Sequence, residues 1–206
     1  MYSKERASLV TKNEVTKYIL PGIVANVKLV SAKYENSPSS SFIQINFEKD
    51  GAIFSHTEWK PGGKFDVDAE SLQKKEDNQF SRMMQLLLCF YTNDQLIFNG
   101  TSFEEFAKEV VSYLNNANKD ILLRVKIVYN DKGYTTLPKY ARYTFIEPMI
   151  LGEGKESSIV ELSFDQFTKP VIADTEVENN PLGAKPLVET QTILQTDNSA
   201  IDALPF

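Results

Sequence analysis

FIQINFEKDGAIFSHTEW, residues 42–59, decides the fold. From Phe42 to Glu48 the side chains alternate: Ile43, Ile45 and Phe47 fall on one side, Gln44, Asn46 and Glu48 on the other. That period of two marks a strand with one buried face. Asp50-Gly51 then signals a hairpin, because Gly supplies positive φ without steric cost. Ala52 to Trp59 returns as the partner strand and stops at Pro61-Gly62-Gly63. Upstream, Pro21-Gly22 opens a long run from Ile23 to Tyr34, with Ile23, Ala25, Val27 and Leu29 on one face and Asn26 and Lys28 on the other. The loop Asn36-Ser37-Pro38-Ser39-Ser40-Ser41 connects it to the hairpin. Three antiparallel strands in a meander follow, preceded by an arm or a short element over residues 1–18.

Helices come next. Phe80, Met83, Met84, Leu87, Leu88 and Tyr91 form an apolar stripe within Ser71–Tyr91. Ser102 and Glu105 have capping-box spacing and start a second helix with Phe103, Phe106, Ala107, Val110, Val111 and Leu114 on one face. It ends at Asn115-Asn116-Ala117-Asn118. Strand character returns at Ile121–Tyr129 and continues irregularly through Tyr134–Ile146, and Ile159–Phe164 is expected to close the sheet. Three strands, a helical insertion at about 70–116 and further strands predict a mainly β (α+β) fold: a five-stranded OB-type Greek-key barrel, whose loops at one end grip oligonucleotides. A mixed α+β sandwich has the same local elements. The expected division is a nucleic-acid-binding domain over 1–169 and a flexible, disordered acidic tail over 170–206.

The 206 residues carry 22 Lys and Arg against 28 Asp and Glu, a net charge of −6. From Pro170 onward Asp174, Glu176, Glu178, Glu189, Asp197 and Asp202 face Lys185 alone, so that −5 of the −6 lies there and −1 on residues 1–169. A basic face on the body is compatible with that balance, and the acidic tail competes with nucleic acid for it. No apolar run suits a bilayer span, and residues 1–13 lack the apolar core of a secretory signal. One cysteine, Cys89, forms no internal disulfide or zinc site and reads as a small buried hydrophobe. A reducing, cytoplasmic setting is expected.

Arg124 and Lys126 are two apart on a strand and so share a face. Lys132, Tyr134, Lys139, Tyr140, Arg142 and Tyr143 follow, interleaving cations with rings. Single-strand binding needs this mixture, since cations track phosphates while aromatic rings stack on bases of any sequence. The sole histidine, His56, with Phe54, Glu58 and Trp59, is a further candidate for that face, and Trp59 can stack on a base. The structural alternative is a half-buried hairpin with core tyrosines and solubilising lysines. His56 has no metal-ligand companion and reads as a satisfied structural or surface residue. Gly152-Glu153-Gly154-Lys155 lacks phosphate-loop spacing, and Glu104-Glu105 suit a helix start. No cofactor and no catalysis are expected.

The segment Lys126–Pro138, with its Lys-bearing strand, Gly133-Tyr134 turn and following Pro138-Lys139 run, resembles the OB-fold single-stranded DNA-binding proteins of tailed phages. The final Leu204-Pro205-Phe206, after Asp197 and Asp202, is similar to the acidic Pro-Phe tip of bacterial and phage single-stranded DNA-binding proteins, with fewer carboxylates than is usual there. The resemblance implies a protein that coats single-stranded replication and recombination intermediates. It also implies that Asp202, Leu204, Pro205 and Phe206 recruit replication proteins, the ring and α-carboxylate entering a small basic pocket. A phage structural or adaptor protein with a docking tail and no nucleic-acid binding is the alternative, and a small hydrolase a weaker third. Oligomeric state is left open.

Overall fold

The computed structural model describes residues 17–37, 40–62 and 68–171. The expected arm over 1–18 and tail over 170–206 therefore lie almost wholly outside the described residues. Seven strands, β1 (Lys17–Tyr18), β2 (Gly22–Ser37), β3 (Ser40–Lys49), β4 (Ala52–Trp59), β5 (Leu123–Tyr129), β6 (Thr135–Thr136) and β7 (Ile146–Pro148), form one curled open sheet with two helices, α1 (Ala69–Leu87) and α2 (Phe103–Asn116). The order is β1-β4-β3-β2-β5-β6, with β7 also on β5. The fold is mainly β. Two of the strands beyond the expected five, β1 and β6, are two-residue additions at the sheet margins.

The meander forms where the alternation predicts it. Ile43, Ile45 and Phe47 are buried, and β3 pairs antiparallel with β4 from Phe42↔Trp59 to Lys49↔Ala52. Asp50 and Gly51 take φ of 51° and 78°. Positive φ at both central positions is the type I′ geometry that matches the twist of a two-residue hairpin. The Glu48 carboxylate accepts from Gly51 N–H at 2.6 Å.

β2 is long because it serves two neighbours. Its later part, Lys28–Ser37, pairs with β3, and its beginning, Gly22–Val27, pairs with β5. The bend between them is a bulge at Val24–Val27, where Asn26 has φ 60°. Asn tolerates this left-handed conformation better than other side chains, and a bulge resets the alternation. Val27 and Leu29 are consequently buried while Ile23 is exposed, which corrects the expectation that Ile23 shares their face.

Asp68 caps α1, its carboxylate accepting from Ser71 N–H at 2.6 Å. The buried face of α1 is Gln79, Arg82, Met83, Leu86 and Leu87: Met83 and Leu87 of the expected stripe are on it, Phe80 and Leu88 are not. Phe80 and Leu88 are largely exposed. The helix is turned because Gln79 and Arg82 have partners on β4. α2 begins with the expected capping box of Ser102 and Glu105 and buries Ala107, Val110 and Leu114 against β2. Asn115 completes that packing: its side-chain amide donates to Ala32 O and accepts from Ala32 N–H, both at 2.9 Å.

Ile159–Phe164 forms no strand. It runs as an irregular strap along β5, tied by Tyr129 N–H to Gln166 O at 2.7 Å and by a buried side-chain cluster described below.

Candidate nucleic-acid interface

The inward face of β4 carries Phe54, His56 and Glu58, of which only the first is apolar. Phe54 stacks on Phe47 with centroids 5.6 Å apart, a core contact and not an exposed platform for bases. The polar pair below it is satisfied across the sheet and helix. Arg82 clasps Glu58 with Nε to Oε1 at 3.0 Å and Nη2 to Oε2 at 2.8 Å, the two-pronged geometry that favours Arg over Lys. Gln79 Nε2 donates to Glu58 Oε2 at 3.0 Å and to Trp59 O at 2.9 Å. Burial by itself raises the Glu58 carboxyl, but hydrogen bonds from His56 and Arg82 and the Arg82 charge outweigh it and hold the group well below the ordinary carboxylate range.

His56 joins the two sides of the curl. Leu137 N–H donates to Nδ1 at 3.2 Å, so the ring proton sits on Nε2, which donates to Glu58 Oε1 at 3.0 Å. Thr136 Oγ1 lies 3.1 Å from Nδ1. Thus β4 and β6, not adjacent by backbone pairing, are bridged by one imidazole. A satisfied structural histidine is what the residue is.

Lys126 corrects a sequence expectation. It does share a face of β5 with Arg124, yet it is 0% exposed and reaches no solvent phosphate. Its Nζ donates to Asp165 Oδ2 at 2.6 Å, to Val160 O at 2.5 Å and to Tyr140 Oη at 2.8 Å. The Asp165 side chain is 1% exposed and also accepts from Tyr140 Oη–H at 2.9 Å and Leu162 N–H at 2.8 Å. Burial, then the Asp165 hydrogen bond and charge, raise the Tyr140 hydroxyl far above its ordinary range. Tyr140 is therefore half structural. Arg124 is held by Glu147 at 2.7 Å, directly opposite on β7.

The exposed candidates lie on the strap side and at the end of β4. Trp59 is 57% exposed and rests on Phe42 with centroids 4.8 Å apart. Tyr134 is 68% exposed on the β5–β6 turn beside exposed Lys132. Tyr140, Tyr143 and Phe164 form a three-ring group with centroid separations of 5.6–6.1 Å, and the Arg142 guanidinium lies 5.9 Å from the Tyr143 ring centre. Two clefts lie between Trp59 and the Tyr140–Phe164 pair. One, about 390 Å³, has Trp59, Lys75, Asn78, Thr136 and Lys139 in its walls. The other, about 180 Å³, has Thr136, Lys139, Tyr140 and Phe164. Exposed Lys139 belongs to both, its carbonyl fixed by Arg82 Nη1 at 2.9 Å.

Sequence reasoning missed Arg82, Asp165 and Phe164, and placed Glu58 on the binding face where it is a buried partner of Arg82. The Phe54-His56-Glu58 alternation was the available signal for Glu58, since a polar residue on an inward face requires a buried partner. Asp202, Leu204, Pro205 and Phe206 lie outside the described residues. Among the described residues, no helix is long and apolar enough to cross a membrane, and no group of three or more His, Cys, Asp or Glu could hold a metal ion.

Cys89 is buried, and burial together with the nearby Glu147 charge pushes its thiol up to about 12. Since the thiolate is the reactive form, iodoacetamide at pH 8 is expected to leave Cys89 of the folded protein unmodified and to alkylate it in urea. Rapid labelling without denaturant, read by mass, would contradict this burial.

No protein-family model, no curated protein and no solved structure matches this chain.

Proposed function

We propose that residues 1–169 form an OB-type module that binds single-stranded DNA across the surface from Trp59 to Phe164. Support for the OB type comes from the topology. One long bent strand pairs with the meander through one part and with β5 through another, and the helices fall between β4 and β5, where that fold carries its helix. The observation that carries the binding reading is the pair of clefts sharing Thr136 and Lys139, with Trp59 in one and Phe164 in the other. Rings at both ends offer stacking platforms, and the lysine between them meets the backbone phosphate. Lys132, Tyr134, Arg142 and Tyr143 extend the surface. Lys126 and Phe54 drop out of it, and Lys75 and Phe164 enter.

In this reading the protein coats replication and recombination intermediates in a bacterial or infected-cell cytoplasm, and the Asp202–Phe206 tip recruits replication proteins. Trp59 is the only tryptophan, so its emission reports the site directly. Oligo(dT) is expected to quench it. Trp59→Ala should weaken binding by about 1–3 kcal/mol, roughly 5- to 150-fold, with little change in melting temperature. Lys139→Ala should reduce the salt slope by about 0.7, one phosphate contact on a single strand. Unchanged emission together with no binding at low salt would leave the adaptor alternative standing.

A further inference from the structure

A third cleft, about 280 Å³, opens between α1, α2 and the segment leading into α2. Its apolar walls are the rings of Phe80, Phe98, Phe103 and Phe106. Phe80, Phe98 and Phe106 lie mutually 5.3–5.8 Å apart, and Phe103 adds to Phe106 at 6.4 Å. Every charged residue in the lining is acidic: Glu76, Asp77 and Glu109. Glu109 Oε1 accepts from Asn99 N–H at 3.2 Å, while its Oε2 is buried without a hydrogen-bond partner among the described residues. A buried carboxylate oxygen left unpaired is costly, and beside aromatic faces it is complementary to one kind of group. The α2 N-terminus does not invite an anion here, because Glu105 already accepts from Thr101 and Ser102 N–H at 2.9 and 3.1 Å.

We propose that this aromatic cleft receives a cationic side chain, an arginine or lysine, from a partner polypeptide. The rings attract the cation through their quadrupoles, and Glu76, Asp77 and Glu109 supply the opposing charge. Arginine fits better than lysine, since its planar, weakly hydrated guanidinium both stacks on a ring and pairs with a carboxylate. The charged residues of its wall are all acidic and none is a cation, so it repels phosphate. This surface is thus separate from the one assigned to DNA.

The test uses the full chain and the peptide Gly-Ser-Arg-Ser-Gly, with the neutral isostere citrulline in place of Arg as its control. In 15N-resolved NMR titrations the Arg peptide is expected to shift the Asn99, Thr101, Phe103 and Glu109 amides, and the citrulline peptide to bind at least about tenfold more weakly. Glu109→Gln should weaken the Arg peptide by a similar factor without lowering the melting temperature, because it neutralises an unpaired buried group. Equal binding of the two peptides, wild-type affinity in Glu109→Gln, or no shifts at these amides up to millimolar peptide would each overturn the proposal. Shifts produced instead by inorganic phosphate would do the same.

Discussion

Asp165→Ala is expected to lower the unfolding free energy by about 3–5 kcal/mol, the cost of leaving a buried charge without its partner. For a domain of this size that is roughly 6–20 °C in melting temperature. Lys126 Nζ would keep only Tyr140 Oη and Val160 O, neither of which carries a compensating charge. The reverse change is milder. In Lys126→Met the Asp165 carboxylate still accepts from Tyr140 Oη–H and Leu162 N–H, so the loss should be clearly smaller. The double variant Lys126→Met/Asp165→Leu should recover much of what Asp165→Ala loses, as buried pairs replaced by apolar groups often do. Urea melts of the three proteins decide this. Equal losses in the two single variants would mean that the strap, and not the charge pair, sets the energy.

The second large effect is at Glu58. Glu58→Gln removes the charge opposite Arg82 and is expected to cost about 3–5 kcal/mol at pH 7. It also changes the acid limb of the stability curve, with a sign that follows from the direction of the shift. The folded carboxyl titrates well below its unfolded value near 4.5, so in the interval between them the unfolded chain binds more protons and stability rises with pH. The contribution is fully present above the unfolded value and is lost as pH falls through the folded one. The gap between wild type and Glu58→Gln should therefore be constant from pH 7 to about 5 and narrow steadily below about 4.5. Each unit of depression corresponds to about 1.4 kcal/mol. A gap that stays constant to pH 2 would show that Glu58 is not held in its charged form by these partners.

Local pattern carried the meander, the Asp50-Gly51 turn and the Ser102–Glu105 cap, because each is encoded within a few residues. What escaped it was long-range pairing. Glu58 and Arg82 are 24 residues apart, Lys126 and Asp165 39, and a charge read singly does not announce its partner. Lys126 therefore reads as a surface cation, and nothing near Arg82 in sequence points to Glu58. The turned face of α1 follows from the same omission: the helix presents Gln79 and Arg82 inward to meet Glu58, and Phe80 swings outward. Phase was lost in β2 for a different reason, since the bulge at Asn26 breaks the alternation that an unbroken strand would keep. At the candidate interface, Trp59, Lys132, Tyr134, Lys139, Arg142 and Tyr143 were legible because exposed cations and rings share one short stretch and one strand end. Phe164 was not, being placed beside Tyr140 only by the strap.

The imidazole bridge between β4 and β6 has a consequence for how the domain breathes. Separating these two edges sacrifices the side-chain hydrogen bonds of His56 to Leu137 and Thr136 and of Arg82 to Lys139 O, whereas separating β3 from β4 sacrifices a whole register of backbone pairs. Native-state amide exchange should therefore be heterogeneous. The Leu137 amide, protected by a side chain alone, belongs to a low-energy opening, and the β3–β4 amides exchange only with global unfolding. The domain is in this sense hinged along a seam. The walls of both clefts at Thr136 and Lys139 lie along it, so their spacing is set by a few side-chain bonds and not by the backbone register of the meander.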